Sequence, residues 1–143
     1  MNYLLDTCIV SEFTKPQPDE NVIQWLRMTP IQHLYISVLS IGEIQKGISQ
    51  LDVSTRQQRL QAWLDEELTQ QFYQRILGVD EQDSRLWGQL CGQYLRQGRK
   101  LPVMDSLLAA TALAKQMTFV TRNEKDFSVI AGLQLINPWQ LKT

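Results

Sequence analysis

Four carboxylates, Asp6, Glu43, Asp105 and Asp126, stand at points of the chain from which they could be brought together. Asp6 ends the apolar run Tyr3-Leu4-Leu5, which is too short for a helix and suits a strand buried on both faces. Glu43 falls just off an apolar helical stripe of Ile41, Ile44 and Ile48. Asp105 opens an Ala- and Leu-rich stretch, and Asp126 lies in a polar turn over 122–127. Carboxylates crowded into a partly dry crevice repel one another, so one stays protonated or a cation sits between them. Ligands that are all oxygen select hard cations, Mg²⁺ or Mn²⁺. Mg²⁺ is usually held by one or two carboxylates, with water and substrate phosphate completing its shell. A phosphodiester is then the natural substrate. One ion would polarise the phosphoryl oxygen, generate hydroxide and steady the leaving oxygen; two ions about 3.5–4 Å apart would act as a clamp. Each acid also has an ordinary use: helix cap for Asp6 and Asp105, exposed helical residue for Glu43, turn residue for Asp126.

The surrounding elements decide whether the acids meet. Strand patterns at 3–5, 34–36, 76–79, 118–121 and 133–136 alternate with helical ones. The spacing predicts a short helix over 7–13, stopped by Lys15-Pro16-Gln17-Pro18, and a second helix opened by Asp19. Ser37 is placed to cap a helix to about Ser49, with Glu43 roughly 100° round from Ile44. Gly47, one turn beyond Glu43, costs about 1 kcal/mol relative to Ala inside a helix, which suggests a close backbone approach. Ser54 caps a long helix whose Asp65, Glu66 and Glu67 face solvent, and Asp80 opens another that ends at Gly98. The segment 105–114 is apolar around most of its girth and is predicted to be buried. This order favours an α/β fold with a parallel sheet covered on both faces. In such a sheet the ligand crevice lies beyond the carboxyl ends of the strands. Asp6, Glu43 and Asp126 fall at that edge, and Asp105 joins them if its helix begins there.

The chain has 143 residues, the length of one domain with a real core. It has 14 Lys plus Arg against 15 Asp plus Glu, so any nucleic-acid surface has to be local. Arg96, Arg99 and Lys100 form one such cluster, and Arg122 is a further candidate; solvated charge is their ordinary reading. Cys8 and Cys91 have neither metal-site nor disulfide spacing, which points to a reducing, cytoplasmic compartment. No export signal or membrane-length apolar run is visible. His33, the only histidine, precedes a strand and is set aside as a catalyst. No phosphate-binding glycine motif occurs. Phosphatases with an aspartyl nucleophile commonly want a second Asp two residues on, where Cys8 stands. The four Trp residues read mainly as core or interface anchors.

Four motifs taken in order resemble those of PIN domains, and most closely the VapC or FitB-type toxins of toxin–antitoxin pairs. They are Leu4-Leu5-Asp6-Thr7, the Ser40-Ile41-Gly42-Glu43-Ile44-Gln45-Lys46-Gly47 helix, the segment Pro102-Val103-Met104-Asp105-Ser106-Leu107-Leu108-Ala109-Ala110-Thr111-Ala112, and Val120-Thr121-Arg122-Asn123-Glu124-Lys125-Asp126-Phe127. The resemblance spans nearly the whole chain. It implies a three-layer α/β/α PIN-like fold with a central parallel sheet of about five strands. It also implies a Mg²⁺- or Mn²⁺-dependent endoribonuclease, a homodimer, held inactive by a small DNA-binding antitoxin. Asp6, Glu43 and Asp105 match the three core acids and are the expected metal ligands. Many relatives carry an acid two residues after the motif threonine, where this chain has Asn123. Asp126 is then expected to supply the fourth charge, with Thr7, Thr121 and Asn123 as accessory residues. The alternative from another class is a non-catalytic RNA- or partner-binding module that keeps the fold.

Overall fold

In the computed structural model, which describes residues 1–141, short apolar strands build a five-stranded sheet in which every pairing is parallel. The strands are β1 (Tyr3–Leu5), β2 (Leu34–Ser37), β3 (Ile76–Leu77), β4 (Thr118–Val120) and β5 (Leu135–Ile136), in the spatial order β3-β2-β1-β4-β5. Side chains alternate across a strand, and here both sides are apolar. Leu5, Ile36 and Val120 point into one core with Ile9, Val22, Leu64, Leu68 and Phe72. Leu4 and Phe119 point into a second core with Leu90, Leu108, Ala109, Ala112 and Phe127. Two cores on opposite faces of one sheet make three layers, as the sequence pattern implies.

The helices are α1 (Thr7–Glu12), α2 (Glu20–Met28), α3 (Val38–Ser49), α4 (Thr55–Ala62), α5 (Thr69–Gln71), α6 (Glu81–Arg96), α7 (Val103–Ala114) and α8 (Glu124–Phe127). The capping side chains expected at Asp19, Ser37, Ser54 and Asp80 are in place. Asp80 and Asp83 form a reciprocal capping box, with bonds of 2.8 and 3.1 Å. Asp65, Glu66 and Glu67 are exposed.

Several local expectations need correction. The long helix after Ser54 is interrupted by a π-helical segment, Trp63–Leu68, that turns Leu64 and Leu68 into the core. Residues 122–127 are not wholly a turn, because they wind into α8. A Cβ built on Gly47 would meet no atom within 4 Å. Gly47 lies on the exposed side of α3, so nothing approaches its backbone. Asp105 does not open its helix: α7 starts at Val103 behind Pro102, and Asp105 occupies the first turn. Proline suits that entry because helix starts spare an N–H.

The strand order places a switch point at the centre of the sheet. From β1 the chain builds outward through β2 and β3, then crosses back to lay β4 and β5 on the other side of β1. The direction of building therefore switches between β1 and β4, the place where open α/β sheets bind ligands. Asp6 and Thr121 follow those two strands directly.

Candidate active site

Asp6 is only 6% exposed, and its carboxylate accepts from uncharged donors alone. Its Oδ1 accepts the Thr7 N–H at 2.8 Å, so it does cap α1. Its Oδ2 accepts the Thr121 hydroxyl at 2.8 Å and the Cys8 thiol at 3.6 Å. The Thr121 bond spans the switch point, because the register sets Leu5 opposite Val120. Thr121 in turn accepts the backbone N–H of Asn123 at 3.0 Å, so its proton is committed to Asp6. The two oxygens thus serve different partners, Oδ1 capping α1 and Oδ2 tying the end of β1 to the end of β4.

Glu43 arrives from α3. Its Oε1 lies 2.6 Å from Thr7 Oγ1, which is itself 2.8 Å from Ser40 Oγ. A hydroxyl carries one proton. When Thr7 gives its proton to the carboxylate, Ser40 must donate to Thr7. Ser40 is fully buried and three residues before Glu43, hence on the same helix face. The pair of hydroxyls ties α3 to the residue after Asp6. Ser40 stands in the second motif, but its bond to Thr7 escaped sequence reasoning because a serine inside an amphipathic helix carries no signal of its partner.

Asp105 reaches the crevice by topology. α7 runs back to the start of β4, which is parallel to β1, so its first turn sits at the carboxyl edge. Burial raises the pKa of Asp105, and the charges of Asp6, Glu43 and Asp126 raise it further. Asp6 is likewise raised, chiefly by burial and also by Glu43, against the lowering effect of its hydrogen bonds. Cys8 is pushed up to about 11, first by burial and then by Asp6, which keeps it a neutral thiol. Asp105 thus feels the charges of Asp6, Glu43 and Asp126, and Asp6 feels that of Glu43. Asp126 stands exposed on α8. Asn123 contributes its backbone N–H to the network through Thr121, and its side chain makes no capping bond. His33 is elsewhere, its Nδ1 3.0 Å from Asn2 Oδ1.

Among the described residues, no ion pair includes Asp6, Glu43, Asp105 or Asp126. The pairs present are Lys15–Glu12, Arg85–Glu81 and Lys115 with Asp80 and Asp83. Among the described residues, no three Asp, Glu, His or Cys side chains form a ready-made metal cage. The donor set still suits a hydrated Mg²⁺ or Mn²⁺, which needs only one or two carboxylates beside water.

The PIN domain family profile matches residues 3–133. Over 137 residues the chain is 32% identical to VapC ribonuclease Y4jK of Sinorhizobium fredii, covering 96% of this chain and 97% of that protein. It is 30% identical to toxin FitB of Neisseria gonorrhoeae over 136 residues, covering 95% and 97%. The solved structure of FitAB bound to an IR36 DNA fragment contains a chain that superposes with a TM-score of 0.89 at 30% identity, covering 99% of this chain and 98% of that one.

Proposed function

The chain belongs to the PIN domain family, with VapC/FitB-type toxins as its relatives, and from that premise we propose that it is a Mg²⁺- or Mn²⁺-dependent endoribonuclease acting as the toxin of a toxin–antitoxin pair. The observation that carries the proposal is buried Asp6 at the switch point between β1 and β4, with half-buried Glu43 and Asp105 bringing further negative charge toward it. A group of this kind is costly unless a cation joins it.

Asp6, Glu43 and Asp105 would hold the ion, and Asp126 would assist from the exposed face of α8. When bound, the ion supplies Lewis-acid polarisation of the phosphodiester and a lowered pKa for water. The protein's own part is orientation. Thr121 fixes one oxygen of Asp6, and Thr7, steered by Ser40, fixes one oxygen of Glu43. The remaining lone pairs of these carboxylates would be available to the ion and its waters. Water is the nucleophile, and a carboxylate of the group accepts its proton. Asn123, where many relatives carry an acid, orients Thr121 through its backbone.

The partner is a small DNA-binding antitoxin, a reading supported by the FitAB–DNA complex among the structural neighbours. The working form is a cytoplasmic homodimer of single-domain subunits. No helix among the described residues is long and apolar enough to cross a membrane, and both cysteines are free. Exposed Ile31 and Tyr73 lie on segments that Arg75 ties together through the carbonyls of Ile31 and Gln71, and they offer apolar surface for association.

The second reading, a non-catalytic RNA- or partner-binding module, draws on Asn123 and on the absence of a ready-made cage among the described residues. Incubation with RNA across an Mn²⁺ titration separates the two. The nuclease reading predicts cleavage that appears with metal and vanishes in Asp6→Asn. Intact RNA at every metal concentration would favour the binding module.

A further inference from the structure

From residue 84 to residue 104 the chain contains no Asp or Glu, although the whole chain is balanced in charge. Four cations fall in that stretch: Arg85, Arg96, Arg99 and Lys100. Arg85 is paired with Glu81 at 3.0 Å. The other three are exposed and belong to none of the ion pairs among the described residues. They crowd the turn between α6 and α7. That turn is rigidly made: Gly98 takes φ of 74°, its N–H bonds Leu95 O at 3.0 Å, and Arg99 N–H bonds Tyr94 O at 2.8 Å.

The turn leads straight to the acidic group. Asp105 lies five positions after Lys100, at most about 18 Å away at full stretch, and residues 103–105 are already helical. Arg122 differs, because its guanidinium lies over Trp139 at 5.2 Å. Helix-end complementarity explains one cation at the close of α6. It does not explain two more beyond it with no partner. Exposed Leu95 and Val103 flank the three charges and add apolar contact.

We propose that Arg96, Arg99 and Lys100 on the α6–α7 turn form a track for the phosphate backbone of single-stranded RNA, delivering it to Asp105. This rests on the nuclease reading above and names how its substrate is held. An acidic segment of a partner protein could also be attracted to three cations, but the track runs into the place where a phosphodiester would be cut.

The test uses the full chain and an Arg96→Ala/Arg99→Ala/Lys100→Ala triple variant. Binding of a short fluorescent RNA is measured in EDTA, which stops cleavage, between about 50 and 200 mM salt. Each phosphate contact on a single strand contributes about −0.7 to the slope of log K against log salt. The triple variant should lose about 2 from that slope and bind at least tenfold more weakly at the low-salt end. An Arg96→Lys/Arg99→Lys variant should keep the slope. In Mn²⁺ the triple variant should show raised KM with kcat little changed. Wild-type slope and affinity in the triple variant would overturn the track, as would no RNA binding by the wild type. Weakened binding of an acidic peptide with RNA binding unaltered would overturn it as well. If the wild type binds RNA with the expected slope yet cleaves nothing in Mn²⁺, the nuclease reading fails while the track stands.

Discussion

Helix α1 carries a buried carboxylate at each end, and the two are treated in opposite ways. At its start, Asp6 receives only neutral donors and faces further acids, so its pKa is raised, chiefly by burial. At its end, Glu12 is 2% exposed but accepts Lys15 Nζ on one oxygen and the Asp19 N–H at 2.9 Å on the other. Burial would raise Glu12 too, but Lys15, the Asp19 amide and the charge of Arg122 outweigh it and hold the carboxyl below its usual value. One carboxylate is completed by the fold and the other is not. The completed one fastens α1 to the start of α2. The incomplete one is where the proposed cation would bind.

The contrast breaks most sharply by mutation. Asp6→Asn should cut RNA cleavage by about 10²–10³-fold or more, the scale of losing a key electrostatic group. Its thermal stability without metal should stay level or rise, since a repelled buried charge is gone. Wild-type cleavage by that variant would sink the scheme.

Divalent ions should act at one end only. At 100 times its Kd, Mg²⁺ or Mn²⁺ should stabilise the wild type by about 2.7 kcal/mol. Thermal melts across a metal series should show no such gain in Asp6→Asn and a full gain in Glu12→Gln.

Glu12→Gln should in turn cost about 1–3 kcal/mol in denaturant unfolding, because a buried, hydrogen-bonded charge is lost. Lys15 is 51% exposed, so its half of the pair is screened and the cost stays below that of a fully buried pair. Cleavage per folded molecule should be unchanged. A Glu12 variant with normal stability would show that the fastening is ornamental.

Acidity gives a smaller effect with opposite signs. Asp6 and Asp105 have folded pKa values above the ordinary 3.8, so the folded state binds more protons than the unfolded. Their contribution to stability is present below that ordinary value and is lost as pH rises through the raised values. Glu12 is held below its ordinary 4.5, so its contribution is present above that value and is lost as pH falls through the lowered one. Metal-free unfolding in wild type, Asp6→Asn and Glu12→Gln between about pH 3 and 7 separates the two slopes.

The smallest effect belongs to the hydroxyls. Ser40→Ala should cost about 1 kcal/mol and lower kcat modestly by releasing Thr7 from Glu43. A variant with unchanged kcat would reduce Ser40 to packing.

Much of this was legible in the chain. Strand-and-helix alternation announced the parallel sheet, and Asp6, Glu43 and Asp126 were readable as edge residues because each follows a strand pattern. Asp105 was legible as an acid near a buried helix, but its edge depended on topology, which local pattern does not encode. Glu12 was not legible at all: a single Glu before Lys15-Pro16 looks like solvent-exposed charge. Its burial comes from α2 folding back, a tertiary event. The π-helical segment was hidden for the same reason, since Leu64 and Leu68 read equally well as an ordinary helical stripe.

The most direct test of the difference between the ends of α1 is anomalous diffraction from a crystal soaked in Mn²⁺. We predict a peak within bonding distance of Asp6, bordered by Glu43 and Asp105, and none at Glu12. Clear density at Glu12, or an empty Asp6 crevice at saturating Mn²⁺, would contradict the account.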